Sequence, residues 1–186
     1  MSADGTIPEA ATLLADKGDA AVWHATWQQL AEVVGQVDTL IVDAPYSERT
    51  HAGHDVVGCG DVVSRRPISY AAWSAADVGA FVARWAPIVR GWFVTITDDV
   101  LSQVWRSQFE RAGLCTFASL PFVQFGSRVR LCGDGPSSIT AHVMVARPRR
   151  EPFSKWGTLP GAYVQPKGSA ERPAIVGGKT PWIMER

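Results

Sequence analysis

The sequence predicts an α/β fold, in which a sheet carries helices on both faces and ends in a C-terminal antiparallel hairpin. Three patterns lead to this prediction. An apolar, β-branched run at residues 37–42 indicates a buried strand. Two amphipathic segments, at residues 74–89 and 100–109, indicate helices that alternate with further strands. A Gly-Asp-Gly-Pro turn sequence at residues 133–136 indicates the hairpin.

The first elements precede and include the strand at residues 37–42. Residues 20–24 form a short apolar run that predicts a strand. Thr26 can cap a short helix that Gly35 ends. The buried strand at residues 37–42 then stops at Asp43.

The later elements follow a long polar stretch. Ser74, with Asp77 three residues on, predicts a capped helix that ends at Gly91, and residues 92–97 predict a second buried strand. The helix at residues 100–109 is closed by Gly113. Three further strands are predicted at residues 114–120, 128–131 and 139–146, the last two as the arms of the hairpin.

The length of 186 residues suits one domain, which we divide into three segments. Residues 1–18 are predicted to be a flexible leader, and residues 19–147 form the α/β body. Residues 148–186 are rich in proline and glycine, which predicts an extended segment. Pro181 sits where a helix would begin.

Composition limits the classes of function. Hydrophobic residues make up 46% and charged residues 19%, enough for a packed core, and the formal net charge is zero. A nucleic-acid surface would therefore have to be local. We see no signal peptide and no apolar run of about 20 residues, so no membrane partner is expected. Three unevenly spaced cysteines favour a reducing, cytoplasmic location over a disulfide framework.

The candidate site is the tetrapeptide Asp43, Ala44, Pro45 and Tyr46. Ligands of open α/β sheets bind beyond the carboxyl ends of strands, where this tetrapeptide lies. A carboxylate and a backbone carbonyl can accept the two N–H bonds of a planar amine, while an aromatic ring stacks on the base face. The competing interpretation is an Asx-type turn with Tyr46 packed in the core.

This tetrapeptide resembles the Asp-Pro-Pro-Tyr signature of DNA amino-methyltransferases, with Ala44 in place of the first proline. The resemblance extends from about residue 22 to residue 186. It includes the predicted hairpin and the segment at residues 177–181, which is similar to a Lys-Pro element just upstream of the cofactor-binding strand. The order of the motifs matches the permuted class of these enzymes. The resemblance implies a partial Rossmann-like methyltransferase sheet, with residues 19–147 as its catalytic half.

The resemblance also implies roles. The chain would methylate an exocyclic amine of a base in double-stranded DNA, adenine N6 in preference to cytosine N4, with S-adenosyl-L-methionine (SAM) as cofactor. Asp43, Ala44, Pro45 and Tyr46 would hold the amine of a base flipped out of the duplex. The implied cofactor contacts are Gly178, Lys179, Thr180 and Pro181.

Residues 47–67 are predicted to form a long, mobile loop beside the site. Its basic and histidine side chains could contact DNA phosphates, although a solvated loop without a function is an equal alternative. A metal site of two of these histidines with Cys59 lacks four ligands at structural-zinc spacing, and we predict no metal. The candidate DNA contacts are Arg49, His51, His54, Arg65 and Arg66.

The family continues with a glycine-rich cofactor loop, which this sequence does not contain up to Arg186. We therefore expect that the isolated chain does not bind SAM tightly and is inactive alone. Two alternatives to a complete enzyme follow. The chain is a non-catalytic remnant or nucleic-acid-binding subunit, or it is one half of a split methyltransferase completed by a second chain.

Overall fold

The structure is a computed structural model that describes residues 10–55, 68–124, 139–149, 160–166, 179 and 181–184. These residues form eight strands and five helices. The strands are β1 (Thr12–Asp16), β2 (Ala21–His24), β3 (Val37–Asp43), β4 (Val89–Thr97), β5 (Cys115–Thr116), β6 (Leu120–Val123), β7 (Thr140–Arg147) and β8 (Tyr163–Val164). The helices are α1 (Trp27–Val33), α2 (Glu48–Asp55), α3 (Ala75–Trp85), α4 (Asp99–Arg111) and α5 (Pro181–Met184), and a 3-10 turn spans Ala86–Ile88.

Six strands form the main sheet, in the order β3-β4-β7-β6-β8, with β5 also beside β7. Strands β3 and β4 are parallel and are joined through helix α3, so both end at the same edge of the sheet. Strand β7 runs antiparallel to β4 and to β6, whereas β6 and β8 are parallel. The mixed sheet confirms the predicted α/β class with an antiparallel C-terminal part.

Each face of the sheet packs against helices, because side chains alternate between faces along a strand. On one face, Phe93 and Met144 belong to a buried cluster that α1, α3 and α4 complete. On the other face, Ile96 and Val143 pack with Ile183 of α5. The expected arrangement of helices on both faces is confirmed by these two clusters.

Two helix starts agree with the sequence in detail. Thr26 and Ser74 each accept a hydrogen bond from the third residue of their helix, and Gln29 and Asp77 return a bond to the cap backbone. Both are complete capping boxes, which satisfy N–H groups that have no partner inside the helix.

Residues 12–16, which lie in the expected leader, form β1 and pair antiparallel with β2. A tight turn connects the strands: Gly18 adopts a φ of 82°, and its N–H donates to Asp16 Oδ1 at 2.7 Å. Glycine is suited to this left-handed conformation because it has no Cβ. The two strands form a separate sheet with exposed side chains, so no burial pattern in the sequence indicated β1.

The predicted strand at residues 114–120 is replaced by β5 and β6, which both pair with β7. Cys115 lies opposite Arg147, whereas Leu120 lies opposite Val143, so the register shifts by one residue between the two strands. Such an extra residue interrupts the ladder of hydrogen bonds. Strand β6 therefore takes the place of the first hairpin arm, and the arm predicted at residues 128–131 lies outside the described residues.

Gly91 was expected to end a helix, but it lies inside β4, and α3 ends at Trp85. A Cβ on Gly91 would meet the backbone carbonyl of Asp38, where the register between β3 and β4 is irregular. Glycine is required here by the close approach of two backbones.

We expect Gly91→Ala to lower the free energy of unfolding by about 1–3 kcal/mol, because backbone atoms must shift to admit the methyl group. Urea denaturation would measure this loss. Gly35→Ala is the matched control, since a Cβ there has no neighbour within 4 Å. Equal midpoints for the two variants would contradict the expectation.

Candidate functional site

The candidate site lies where β3 and β4 end side by side. Asp43 is the last residue of β3 and pairs in register with Ile96 of β4. The chain then turns at Ala44, which is 4% exposed. Helix α2 begins directly after Ser47. Asp43 itself keeps 32% of its side chain exposed. The strand therefore delivers a partly exposed carboxylate beside a buried turn, as expected for the carboxyl end of a strand in an open sheet.

Lys179 contacts this turn although it is distant in sequence. Its Nζ lies 2.8 Å from Asp43 Oδ1, and its side chain is only 8% exposed. The same Nζ lies 4.7 Å from the centroid of the Tyr46 ring, within cation–π range. The carboxylate and the aromatic ring thus hold one nitrogen between them.

Tyr46 is half-buried and packs against the cluster of Ile96 and Phe122. Burial and the nearby negative charges of Asp43 and Asp98 raise the pKa of its phenol well above the ordinary value. The ring therefore stays neutral and keeps its hydroxyl proton throughout the physiological pH range.

Asp98 is the second carboxylate at this edge, one residue after the end of β4, and is 6% exposed. Its Oδ2 accepts hydrogen bonds from Ser47 N at 2.9 Å, Ser47 Oγ at 2.5 Å and Thr50 Oγ1 at 2.6 Å. Its Oδ1 caps α4 by accepting from Leu101 N at 2.9 Å. Burial by itself would raise the pKa of Asp98, but these hydrogen bonds favour the carboxylate and lower the pKa overall.

A third element fixes the turn from the side of α3. The N–H of Trp73 donates to the carbonyl of Tyr46 at 3.0 Å. The Trp73 ring stacks on Trp105 with centroids 6.1 Å apart and also contacts Phe81. The backbone of Tyr46 is thereby attached to the aromatic core.

The expected loop at residues 47–67 begins instead with α2, a correction to the sequence analysis. The helix starts where Ser47 O accepts from Thr50 N and His51 N, and Asp98 holds its first turn. Helix α2 is polar and has no apolar stripe, so hydrophobic periodicity could not reveal it. The Ser-Glu pair at its start was the available signal.

Two of the five candidate DNA contacts have described side chains. Arg49 is 78% exposed and lies 3.7 Å from Asp99 Oδ2, a pair that contributes little to stability. His51 packs edge-on against Tyr70 at 5.3 Å. The side chain of His54 and the residues Arg65 and Arg66 lie outside the described part of the chain.

Of the four candidate cofactor contacts, Lys179 has the site contacts given above. Pro181 begins α5, as its position in the sequence predicted, while Gly178 and Thr180 lie outside the described residues. Sequence reasoning missed Ser47, Thr50 and Asp98. Asp98 could have been found by the rule that selected Asp43, because it too follows a buried strand.

No group of three or more His, Cys, Asp or Glu side chains among the described residues is placed to hold a metal ion. No helix in the described part of the chain is both long and apolar enough to cross a membrane.

Comparison with known proteins gives similarities of structure. No protein-family model matches the chain, and no curated protein matches it. Among solved structures, the chain is similar to the crystal structure of the M1.HpyAVI–SAM complex, with 16% sequence identity and a TM-score of 0.49. The match covers 86% of this chain and 68% of that one. A likeness of this extent leaves the function to be inferred from the chain's own side chains.

Proposed function

We propose that the chain takes part in SAM-dependent methylation of an exocyclic amino group in double-stranded DNA, with adenine N6 favoured over cytosine N4. One observation carries the proposal: Asp43 and Tyr46 together hold the nitrogen of Lys179, 2.8 Å from a carboxylate oxygen and 4.7 Å from a ring centroid. An exocyclic amine attached to a stacked base needs the same two partners.

Each residue of the turn has a role in this proposal. Asp43 accepts one N–H bond of the target amine and the carbonyl of Ala44 accepts the other, which directs the nitrogen lone pair. Tyr46 stacks on the face of the flipped base, and its neutral phenol adds no charge there. Pro45 restricts the backbone between them. These residues contribute by positioning the two reactants. Positioning supplies a large share of the lowering of the activation barrier in such transfers.

The residues fit the reactive end of the cofactor, because a carboxylate beside an aromatic ring accommodates a cation such as a sulfonium, as it does the Lys179 ammonium. SAM would supply an activated methyl group. Asp43 and Tyr46 would lie at that end, and Gly178, Lys179, Thr180 and Pro181 remain the proposed contacts to the rest of the cofactor.

Lys179 and a target amine would use the same carboxylate and ring, so the amine must displace the Lys179 ammonium. Methyl transfer is tested by incubating methyl-labelled SAM and unmethylated plasmid DNA with the chain alone, and with the chain plus a second chain that supplies the glycine-rich cofactor loop, followed by digestion to nucleosides. We expect label in N6-methyldeoxyadenosine only when the second chain is present. Label confined to protein or to C5 of cytosine would overturn the proposal.

The amine site is tested separately by NMR of Lys179 with added deoxyadenosine. Purine deoxyriboside is the matched control, because it has a hydrogen in place of the exocyclic amine. We expect deoxyadenosine alone to shift the Lys179 side-chain signals. Equal shifts from both nucleosides would mean that Asp43 does not recognise an amine.

A second candidate function is a subunit that binds nucleic acid or supplies half of a split methyltransferase. Strand β3 favours it: within the described part of the chain β3 pairs only with β4, and Ile41 on it is 54% exposed. An open apolar strand edge suits pairing with another chain. DNA binding by the chain without methyl transfer, even when a second chain supplies the cofactor loop, would favour a subunit that only binds nucleic acid over the first function.

A further inference from the structure

We infer that Asp98 is a positioning residue for the turn at Asp43–Tyr46. The hydrogen bonds of its side chain are to Ser47, Thr50 and Leu101, and not to Asp43 or Tyr46. It acts through Ser47, the residue that directly follows Tyr46, and through Thr50 in the first turn of α2. The expected change in kcat rests on the proposed function. The expected effect of Asp98 on the position of the turn rests on the geometry alone.

The two oxygens of Asp98 have separate tasks. Oδ1 accepts from Leu101 N and caps α4, as many aspartates do at helix starts. Oδ2 accepts three hydrogen bonds from residues 48 to 51 positions earlier in the chain. The capping bonds of Thr26 and Ser74, by contrast, reach only three residues ahead. A helix cap alone does not require the contacts of Oδ2.

Burial strengthens these hydrogen bonds. Asp98 is 6% exposed and Ser47 is 4% exposed, so water competes little for their hydrogen bonds. A charged acceptor shortens and strengthens such bonds, in agreement with the 2.5 Å and 2.6 Å distances to the two hydroxyls. Removing the donors leaves a buried carboxylate with two fewer partners, which favours movement of the turn.

The contacts define where Tyr46 lies relative to Asp43. Strand β4 fixes Asp43 through the parallel register with Ile96. Asp98, the residue directly after β4, fixes Ser47 by a hydrogen bond. Trp73 N holds the Tyr46 carbonyl from a third direction. The Asp43 carboxylate and the Tyr46 ring, which both contact Lys179, are therefore positioned by two nearby residues at the end of β4, Ile96 and Asp98.

The test removes the two hydroxyl donors and leaves Asp98 and its helix cap in place. In Ser47→Ala/Thr50→Val, the Tyr46 ring should move away from Lys179. The ring lies 4.7 Å from Lys179 Nζ, so it shifts the neighbouring methylene protons upfield in the NMR spectrum. We expect this upfield shift to fall by at least half in the double variant, and to fall less in Thr50→Val alone.

Kinetics with SAM, plasmid DNA and the second chain that supplies the cofactor loop form the second readout. We expect kcat to fall about 10- to 100-fold, with KM for DNA changed by less than about threefold, because a displaced turn misaligns the amine after binding. The conservative variant Ser47→Thr/Thr50→Ser keeps both hydroxyls and should restore the NMR shift and kcat. Thr26→Ala, which removes a helix cap away from the turn, is the control for stability and should leave both readouts unchanged.

Three outcomes decide the inference. An unchanged Lys179 shift in the double variant would overturn it, as would an equal change in Thr26→Ala. If the double variant loses cooperative unfolding, Thr50→Val alone decides by the same readout. If the unmodified chain transfers no methyl group even when the second chain supplies the cofactor loop, the proposed enzymatic function fails, while the NMR comparison still shows whether Asp98 positions the turn.

Discussion

Asp43→Asn is expected to lower the rate of methyl transfer to DNA on the order of 100-fold. The substitution keeps the size of the side chain but removes its charge and replaces one acceptor oxygen with an N–H donor. An N–H donor facing an amine repels the group that Asp43 is proposed to hold. The measurement is label incorporated into N6-methyldeoxyadenosine in the presence of the second chain that supplies the cofactor loop, under saturating SAM and DNA.

Asp38→Asn is the matched control for this prediction. Asp38 lies on the same strand, is exposed, and is at the end of β3 away from the turn. We expect activity within about twofold of the unmodified chain, as is usual for a surface substitution. Equal losses in the two variants would indicate a general effect of charge on DNA binding, and Asp43 would lose its assigned role.

The variant also changes the ion pair of Asp43 with Lys179. Lys179 is only 8% exposed, so its ammonium would lose its charged partner in a poorly hydrated place. Part of any loss of stability in Asp43→Asn would come from that lysine. Measuring the free energy of unfolding together with kcat separates the two effects, because only the kinetic effect depends on the bound base.

The sequence predicted the strands and helices best where one local pattern determines the element. Strands β3 and β4 are long and apolar, and Ser74 with Asp77 defines the start of α3 through contacts three residues apart. Local patterns of this kind do not depend on the rest of the fold. The position of Asp43 at a strand end followed from them directly.

The sequence predicted the elements and contacts less well where they depend on residues that are distant in the chain. Helix α2 has no apolar stripe and is held by Asp98, which is 48 residues from Thr50. Strand β1 forms through pairing with β2 in an exposed sheet, and the contact of Lys179 with Asp43 joins positions far apart in sequence. Such contacts become visible only once the topology brings the segments together, so the carboxylate that holds the turn was missed.

The turn and the aromatic core are connected through Trp73. Its N–H holds the carbonyl of Tyr46, and its ring stacks on Trp105. The arrangement places the proposed recognition groups on a rigid support, as transfer between two bound substrates would require. A change in the core should therefore affect stability first and the geometry of the site second.

Trp105→Ala is expected to lower the free energy of unfolding by about 3–5 kcal/mol. Trp105 is fully buried, and its ring centroid lies 5.6 Å from that of Phe109, 6.0 Å from Phe81 and 6.3 Å from Phe93. Alanine would leave a large cavity between α3, α4 and the sheet. Urea denaturation followed by circular dichroism measures the loss.

Trp105→Phe and Val100→Ala are the matched controls for this prediction. Phenylalanine keeps one aromatic ring, and the indole N–H of Trp105 has no hydrogen-bond partner among the described residues, so its removal breaks no such bond there. We expect a smaller loss than for alanine, since the residual cavity is smaller. Val100 lies on the same helix but is 40% exposed, and Val100→Ala should cost less than about 1 kcal/mol. If Trp105→Ala were no more destabilising than Val100→Ala, the aromatic cluster would not be the core that supports Trp73 and, through it, Tyr46.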